Sequence, residues 1–211
     1  MASDSICLFE VGPRDGLQNQ SAKIATDRKV ALINLLSQCG LTRIEATAFV
    51  SPKWVPQLAD AAEVLAGINR KPGIRYAALT PNLKGYERAH KADADEVAVF
   101  AAASEGFSQK NINCSIAESL ERFEPVMAAA NKDGIPVRGY VSCVVACPYD
   151  GPVAPSQVAR VAESLLNMGC YEISLGDTIG SGNPETVAAM LEAAKTDLGG
   201  AGARQPERGY R

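Results

Sequence analysis

A cation, a carboxylate and an amide follow one another near the amino terminus, in a segment whose glycines predict a tight turn. Arg14 and Asp15 lie between Gly12 and Gly16, and Gln18 follows them. A guanidinium presents a planar set of donors to anionic oxygens, and an aspartate offers oxygen ligands to a hard divalent cation. A turn of this kind after an apolar strand is typical of an active-site loop, although local composition fits a surface ion pair equally well.

Alternating strands and helices are predicted along most of the chain. We expect strands over residues 6–11, 43–49, 74–79, 96–101, 137–145 and 171–175, from short apolar runs rich in β-branched residues. We expect helices between a Thr26 cap and Gly40, over 56–69 and 82–91, between a Ser115 capping box and Gly134, over 155–168 ahead of Gly169, and over 184–198.

This alternation predicts an α/β fold with a parallel sheet covered on both faces. A doubly wound sheet and a (β/α)8 TIM barrel both fit. Polar residues follow nearly every predicted strand, as at Arg14, Glu45 and Asp177, and this favours a barrel, whose site is built from many βα loops. About six of the eight βα units are found, so we predict an incomplete barrel domain over residues 1–198 and a disordered tail over 199–211.

Composition and charge exclude several classes of protein. The net charge is −3 and no basic block is found, so we expect no nucleic-acid partner. No apolar run approaches the roughly 20 residues that span a bilayer, and the first residues lack the features of a secretory signal. We therefore expect no membrane partner and a location in the cytoplasm of a bacterium, or in the mitochondrial matrix of a eukaryote after processing.

A few other reactive or bulky side chains are given structural roles. Cys143 and Cys147 have the wrong spacing for a compact zinc site, and we expect core or pocket-edge thiols. His90, the only histidine, lies among charged neighbours and is expected on a solvated helix face. Trp54 and Pro56 follow the second strand and are expected to pack within a loop.

Five segments together resemble the 3-hydroxy-3-methylglutaryl-CoA (HMG-CoA) lyases. They are GPRDGLQN at 12–19, IEATAFVSPKWVPQ at 44–57, SQKNINCS at 108–115, YVSC with CPY within 140–149, and SLGDTIG at 174–180. The resemblance covers roughly residues 6–191. It implies a metal-dependent TIM-barrel lyase that cleaves an acyl-CoA substrate, HMG-CoA, to acetyl-CoA and acetoacetate.

The resemblance also implies roles for single residues. Asp15 matches a metal ligand for Mg²⁺ or Mn²⁺, and Arg14 matches the arginine that opposes the charge of the enolate near the thioester. Glu45 and Asp177 match acidic residues of the catalytic polar network, although a carboxylate at a strand end can also only pair with an arginine or form a turn. The substrate pocket is expected to be lined by Arg14, Gln18, Asn111 and Ser174.

Some features of the family pattern are not found in these 211 residues. They are a His-x-His metal pair, a glycine-rich loop with a catalytic cysteine, and an asparagine ligand; Ala48 also stands where many relatives have serine. We therefore expect the 211 residues alone to show no measurable turnover with Mg²⁺ or Mn²⁺. An aldolase or condensing enzyme of the same superfamily, and a non-catalytic remnant, remain alternatives. The oligomeric state is open, with a homodimer as one option.

Overall fold

The computed structural model describes residues 6–197, and the chain divides into two compact units, Met1–Val97 and Ala98–Arg211. The first unit contains β1 (Phe9–Glu10), α1 (Thr26–Leu36), β2 (Arg43–Ala48), α2 (Ala61–Gly67), β3 (Arg75–Leu79), α3 (Leu83–Lys91) and the first two residues of β4 (Glu96–Ala102). The second unit continues with the rest of β4, α4 (Glu105–Ile112), α5 (Ile116–Asp133), β5 (Val137–Ser142), β6 (Ala146–Cys147), β7 (Gly151–Pro152), α6 (Pro155–Asn167), β8 (Glu172–Gly176) and α7 (Pro184–Asp197).

In the main sheet β1 pairs with β2, β2 with β3 and β5 with β8, each in parallel. Phe9 is opposite Arg43 between β1 and β2, Arg43 is opposite Arg75 between β2 and β3, and Arg138 is opposite Glu172 between β5 and β8. The main sheet has the order β1-β2-β3-β4-β5-β8. In a doubly wound sheet the strand order reverses at a switch point, whereas the strands of this sheet follow their order along the chain without a reversal. The prediction of a partial (β/α)8 barrel is therefore confirmed.

Strands buried on both faces explain why the sheet sequences are so apolar. In the first unit the consecutive residues Tyr76, Ala77 and Ala78 of β3 are at most 1% exposed, as are Ile44 and Glu45 of β2, so side chains on both faces of these strands are buried. In the second unit α6 packs Val158, Ala162 and Leu165 inward, and all three are inaccessible. This burial of one helix face and of both strand faces supplies most of the stabilisation of such a fold.

The predicted helix caps are confirmed where both partners are close in sequence. Ser115 and Glu118 form the expected capping box, with the Glu118 N–H donating to Ser115 Oγ at 3.1 Å and the Ser115 N–H donating to Glu118 Oε2 at 2.7 Å. Gly134 follows the last residue of α5 with φ +70°, and Gly169 follows α6 with φ +109°. A positive φ favours glycine, which is why both helices end there.

Several predicted boundaries were wrong. β1 contains only two residues, and Ile6 and Leu8 before it are 86% and 68% exposed. Thr26 does not cap α1 from outside; it is the first helical residue, and its Oγ1 donates to Asp60 Oδ2 at 2.7 Å. The predicted helix over 56–69 is a 3₁₀ turn, Pro56–Leu58, followed by the separate helix α2.

Two further segments had no counterpart in the prediction. The short helix α4 was missed, and the strand predicted to run to residue 145 ends at Ser142 because Cys143 adopts φ +60°. The chain then forms a small antiparallel hairpin of β6 and β7. The expected extent of a single domain, 1–198, stays a prediction, and the tail at 199–211 lies outside the described residues.

Asp150 joins this hairpin to α4. Its Oδ2 accepts hydrogen bonds from Ser104 Oγ and from the Gly106 N–H, both at 2.7 Å. The ring centroids of Phe107 on α4 and Tyr149 on the hairpin lie 6.5 Å apart. The bonds from Ser104 and Gly106 hold the pKa of Asp150 below its usual range. The hairpin is therefore held by an ionised carboxylate at the first turn of the helix.

We expect Gly106→Ala to destabilise the protein by about 1–3 kcal/mol, because an added Cβ must displace Asp150. A Cβ at this position would lie 2.2 Å from Asp150 Oδ1. Urea unfolding measures the change. In an Asp150→Ala background the same substitution should cost much less, and an equal cost in both backgrounds would contradict the steric explanation.

Candidate active site

The segment between β1 and α1 forms a π-helical turn rather than the predicted simple turn. It spans Gly12–Gly16, and the carbonyl of Val11 accepts hydrogen bonds from the Arg14 N–H at 3.1 Å and the Asp15 N–H at 2.7 Å. Short π-helical segments are rare and frequently occur at functional sites. The wide turn presents Arg14 and Asp15 next to each other at the carboxyl end of β1.

Arg14 lies between two carboxylates in the first unit. Its Nε donates to Glu45 Oε2 at 2.6 Å, and its Nη1 donates to Asp15 Oδ1 at 2.9 Å. The side chain of Glu45 is completely buried, that of Arg14 is 12% exposed and that of Asp15 is 52% exposed. The short Nε–Oε2 distance indicates a charge-assisted hydrogen bond that fixes the orientation of the guanidinium.

Only one of the two carboxylate oxygens of Glu45 is paired with Arg14. Its second oxygen, Oε1, is buried and has no hydrogen-bond partner among the described residues. Burial of an unpaired carboxylate oxygen costs free energy, and such atoms in native proteins are explained by a bound water or ion, by local strain or by a catalytic role. Thr47 Oγ1, two residues further along β2, is also buried without a hydrogen-bond partner among the described residues. The feature of the sequence that could have pointed to Thr47 is a hydroxyl group within an apolar strand.

Asp177 lies in the second unit, in the loop after β8. Its Oδ2 accepts a hydrogen bond from the Gly182 N–H at 2.7 Å, and its Oδ1 accepts one from the Ser181 N–H at 3.2 Å. The carboxylate therefore holds its own loop, which is the structural role considered as an alternative from the sequence. Thr178, the next residue, accepts a hydrogen bond from the Cys143 N–H at 2.8 Å and so joins the loops after β5 and β8.

The remaining predicted pocket residues differ in exposure. Gln18 follows the π-helical turn and is half-buried, Asn111 is exposed near the end of α4, and Ser174 on β8 is buried with 3% exposure. The structure thus brings Arg14, Asp15 and Glu45 into direct contact, and it places Asn111, Ser174 and Asp177 in the other unit. Their roles in binding remain predictions.

The cysteines just before and within the hairpin are buried, as expected. Cys143 is inaccessible and Cys147 is 3% exposed. Burial raises the pKa of the Cys143 thiol to about 11, so this thiol stays protonated at neutral pH. Burial also opposes ionisation of Cys147, but hydrogen bonds from Ser104 and the Tyr149 and Asp150 backbone outweigh it and lower its pKa.

Two other expectations concern exposed side chains. His90 is exposed on α3, as predicted, with its ring 5.9 Å from that of Tyr86. The expectation for Trp54 and Pro56 was wrong: both are exposed, and the side chain of Trp54 is 84% exposed. The apolar character of Trp54 predicted packing, but the turn that carries it holds the indole away from the neighbouring elements.

The described residues do not by themselves form a complete metal site. Residues 6–197 contain no group of three or more His, Cys, Asp or Glu side chains arranged to hold a metal ion. Asp15 offers an exposed carboxylate, but one of its oxygens already accepts a hydrogen bond from Arg14. A single carboxylate is a weak ligand set for Mg²⁺ or Mn²⁺.

Within residues 6–197 no helix combines the length and hydropathy needed to cross a membrane.

The model of the HMGL-like family matches residues 5–202. The chain belongs to the HMGL-like family. Enzymes of this family depend in general on divalent metals. The resemblance to the HMG-CoA lyases, inferred from five segments, is thereby confirmed at the level of the family.

Curated relatives give the same result. The chain is 59% identical over 191 residues to a cytoplasmic 3-hydroxy-3-methylglutaryl-CoA lyase of Danio rerio, covering 90% of this chain and 57% of the relative. It is also 59% identical to a mitochondrial hydroxymethylglutaryl-CoA lyase of Bos taurus, covering 90% and 59%. The chain thus spans less than two thirds of the length of these relatives, which include forms from different compartments.

Solved structures agree with the fold. The HMG-CoA lyase from Brucella melitensis matches with a TM-score of 0.88 at 62% identity, covering 90% of this chain and 69% of that one. An HMG-CoA lyase from Acinetobacter baumannii, solved in complex with coenzyme A and 3-methylmalate, matches with a TM-score of 0.88 at 37% identity, covering 93% and 64%.

Proposed function

We propose that this chain forms part of a lyase that cleaves HMG-CoA to acetyl-CoA and acetoacetate. The observation that carries the proposal is the Arg14 guanidinium, held by the buried Glu45 at 2.6 Å beside the exposed Asp15. Similarity to lyases of known name supports the choice of substrate. For the cellular location we propose the two compartments named for these relatives, the cytoplasm or the mitochondria.

The reaction explains why these residue types are suitable. The tertiary alcohol loses its hydroxyl proton, and the hydroxyl oxygen becomes the ketone oxygen of acetoacetate. The bond between the carbinol carbon and the carbon next to the thioester breaks. The bonding electrons pass to an acetyl-CoA enolate, which then takes up a proton. Arg14 is proposed to oppose the negative charge that develops on the thioester oxygen, because a fixed cation needs little reorganisation during the reaction.

The carboxylates are proposed to have separate roles. Glu45 positions Arg14, and its buried Oε1, which has no hydrogen-bond partner among residues 6–197, is proposed to belong to the catalytic polar network. Asp177 is proposed to contribute to proton handling, and Gln18, Asn111 and Ser174 to line the pocket. Asp15 remains our candidate for one carboxylate ligand of Mg²⁺ or Mn²⁺, an ion that would need further ligands to complete its coordination.

A thermal-shift experiment tests the substrate class on the chain itself. We expect a non-cleavable HMG-CoA analogue to raise Tm, since a ligand that binds only the folded state stabilises it. Pyruvate and 2-oxoisovalerate should leave Tm unchanged, and stabilisation by either would favour an aldolase or condensing enzyme. Acetoacetate release from HMG-CoA by the gene product that contains this chain then measures catalysis, and its absence would favour a non-catalytic remnant.

A further inference from the structure

The loop of residues 51–56, which we call the Trp54 loop, presents an exposed indole beside a cation. Trp54 is the only tryptophan of the sequence and is 84% exposed, and the neighbouring Lys53 is also exposed. Exposed large apolar side chains are common singly, so exposure alone does not assign a function. The way in which the loop is held, and its position, supply the argument.

The Trp54 loop has an ordered backbone. The N–H groups of Trp54 and Val55 both donate to the Ser51 carbonyl at 3.0 Å. Pro52 and Pro56, at the two ends of this turn, each fix a backbone angle. Because the backbone is already ordered, a ligand that stacks on the indole does not have to pay for ordering the loop.

The segment after the loop is also fixed. Leu58 is buried at 2% exposure, and the buried Lys29 donates a hydrogen bond from Nζ to the Gln57 carbonyl. Gln57 Nε2 donates to the Gln20 carbonyl at 3.0 Å. Gln20 follows the turn that carries Arg14, so the loops after β1 and β2 are joined at the carboxyl ends of their strands, where barrel enzymes bind substrates.

We propose that Trp54 and Lys53 form a subsite for the adenine nucleotide of the acyl-CoA, an inference that rests on the proposed function. Coenzyme A is long, so a thioester at Arg14 leaves the nucleotide at the edge of the site. The indole offers a face on which adenine stacks, as aromatic residues do in nucleic-acid-binding proteins. The Lys53 ammonium offers a point charge for a phosphate.

The single indole allows a direct measurement on this chain. We expect coenzyme A and adenosine 3′,5′-bisphosphate to quench Trp54 fluorescence, excited at wavelengths where adenine does not absorb, and pantetheine to cause no quenching. Trp54→Ala should raise the Kd of coenzyme A about tenfold, the order expected for loss of one base stack, and leave that of pantetheine unchanged. Trp54→Phe should retain most of the affinity because a phenyl ring also stacks.

A matched control moves the reporter away from the site. The double variant Trp54→Phe with Leu35→Trp carries its indole on α1, where the side chain at this position is 63% exposed. Its fluorescence should not respond to coenzyme A. A response equal to that of the original protein would mean that quenching does not report stacking at Trp54, and it would overturn the inference.

Two other results would also overturn the inference without affecting the proposed function. The first is the absence of quenching by coenzyme A while an HMG-CoA analogue still raises Tm. The second is an indole already protected from acrylamide in the ligand-free protein, which would mean that protein covers Trp54. If neither coenzyme A nor the HMG-CoA analogue has an effect, the proposed function and the inference fail together.

Discussion

Replacing Arg14 with glutamine is expected to lower kcat for HMG-CoA cleavage by about 10²- to 10³-fold, the effect typical of losing one preorganised electrostatic contact to a developing oxyanion. Glutamine retains a hydrogen-bond donor but not the charge. The loss should appear in kcat more than in KM, because the negative charge on the thioester oxygen exists only as the bond breaks. Acetoacetate release by the gene product that contains this chain measures both constants.

Glu45 provides the internal test of this account. The carboxylate is completely buried and its Oε2 accepts the Arg14 Nε–H bond at 2.6 Å. Arg14→Gln therefore leaves a buried charge without its cation and should also lower stability, whereas a second change, Glu45→Gln, should restore part of that stability. Restored stability would show that the stability loss in Arg14→Gln comes from the unpaired Glu45 charge, while kcat should stay low because Arg14 and Glu45 both belong to the proposed catalytic network.

A surface arginine supplies the control for charge alone. Arg160 on α6 is exposed and donates to the Gln157 side chain one turn earlier. Arg160→Gln removes the same charge and should leave kcat and KM unchanged. Full activity of the Arg14→Gln enzyme would refute the proposed role of the guanidinium.

Replacing Lys29 with methionine is expected to reduce the free energy of unfolding by about 3–5 kcal/mol, the usual cost of breaking a buried ion pair from one side. Lys29 is 3% exposed, and its Nζ lies 2.6 Å from Asp60 Oδ1. Methionine fills a similar volume but leaves Asp60, whose side chain is 16% exposed, without its cation. Urea unfolding at neutral pH measures the loss.

The pH dependence of stability gives a second readout. Burial alone would raise the pKa of Asp60, but hydrogen bonds from Lys29 and Thr26, with the charge of Lys29, outweigh it and lower that pKa. A carboxyl group with a lowered folded-state pKa contributes stability above its unfolded pKa of about 3.9 and loses it as pH falls through the folded value. This acid-dependent contribution should shrink in Lys29→Met.

Lys195 provides a comparison for the Lys29 variant. Its side chain on α7 is 56% exposed and lies 3.5 Å from Glu192. Lys195→Met should change the free energy of unfolding by less than about 1 kcal/mol, because exposed ion pairs contribute little. Equal losses for the two variants would contradict the argument from burial.

The sequence predicted best those features that depend on neighbours along the chain. The capping box at Ser115 and the helix ends at Gly134 and Gly169 are local, and all were found. The parallel strands and their helices followed from hydrophobic periodicity, because both faces of each strand are buried. Arg14 and Asp15 were identified from residue types after a strand and Glu45, within the next strand, from the family resemblance; two contacts of Arg14 join the three in the structure.

Features that depend on distant partners were not predictable in this way. The polar group of Thr26 bonds to Asp60, 34 residues away, rather than capping its own helix. Ser104 caps α4 locally by accepting a hydrogen bond from the Phe107 N–H, but the second contact at this helix start, from Asp150 to the Gly106 N–H, comes from 44 residues away and is not visible in the local sequence. Trp54 is 84% exposed although it is large and apolar, and residue type alone does not determine exposure.

The distribution of thiols has a practical consequence for handling the protein. All six cysteines are free, and of these Cys7 and Cys39 are exposed while the other four are buried. Maleimide reagents will therefore modify these two positions first under native conditions, since thiolate formation and access govern the rate. Air oxidation during storage will act at the same two sulfurs and join molecules covalently, so replacing both with serine gives a homogeneous preparation for spectroscopy.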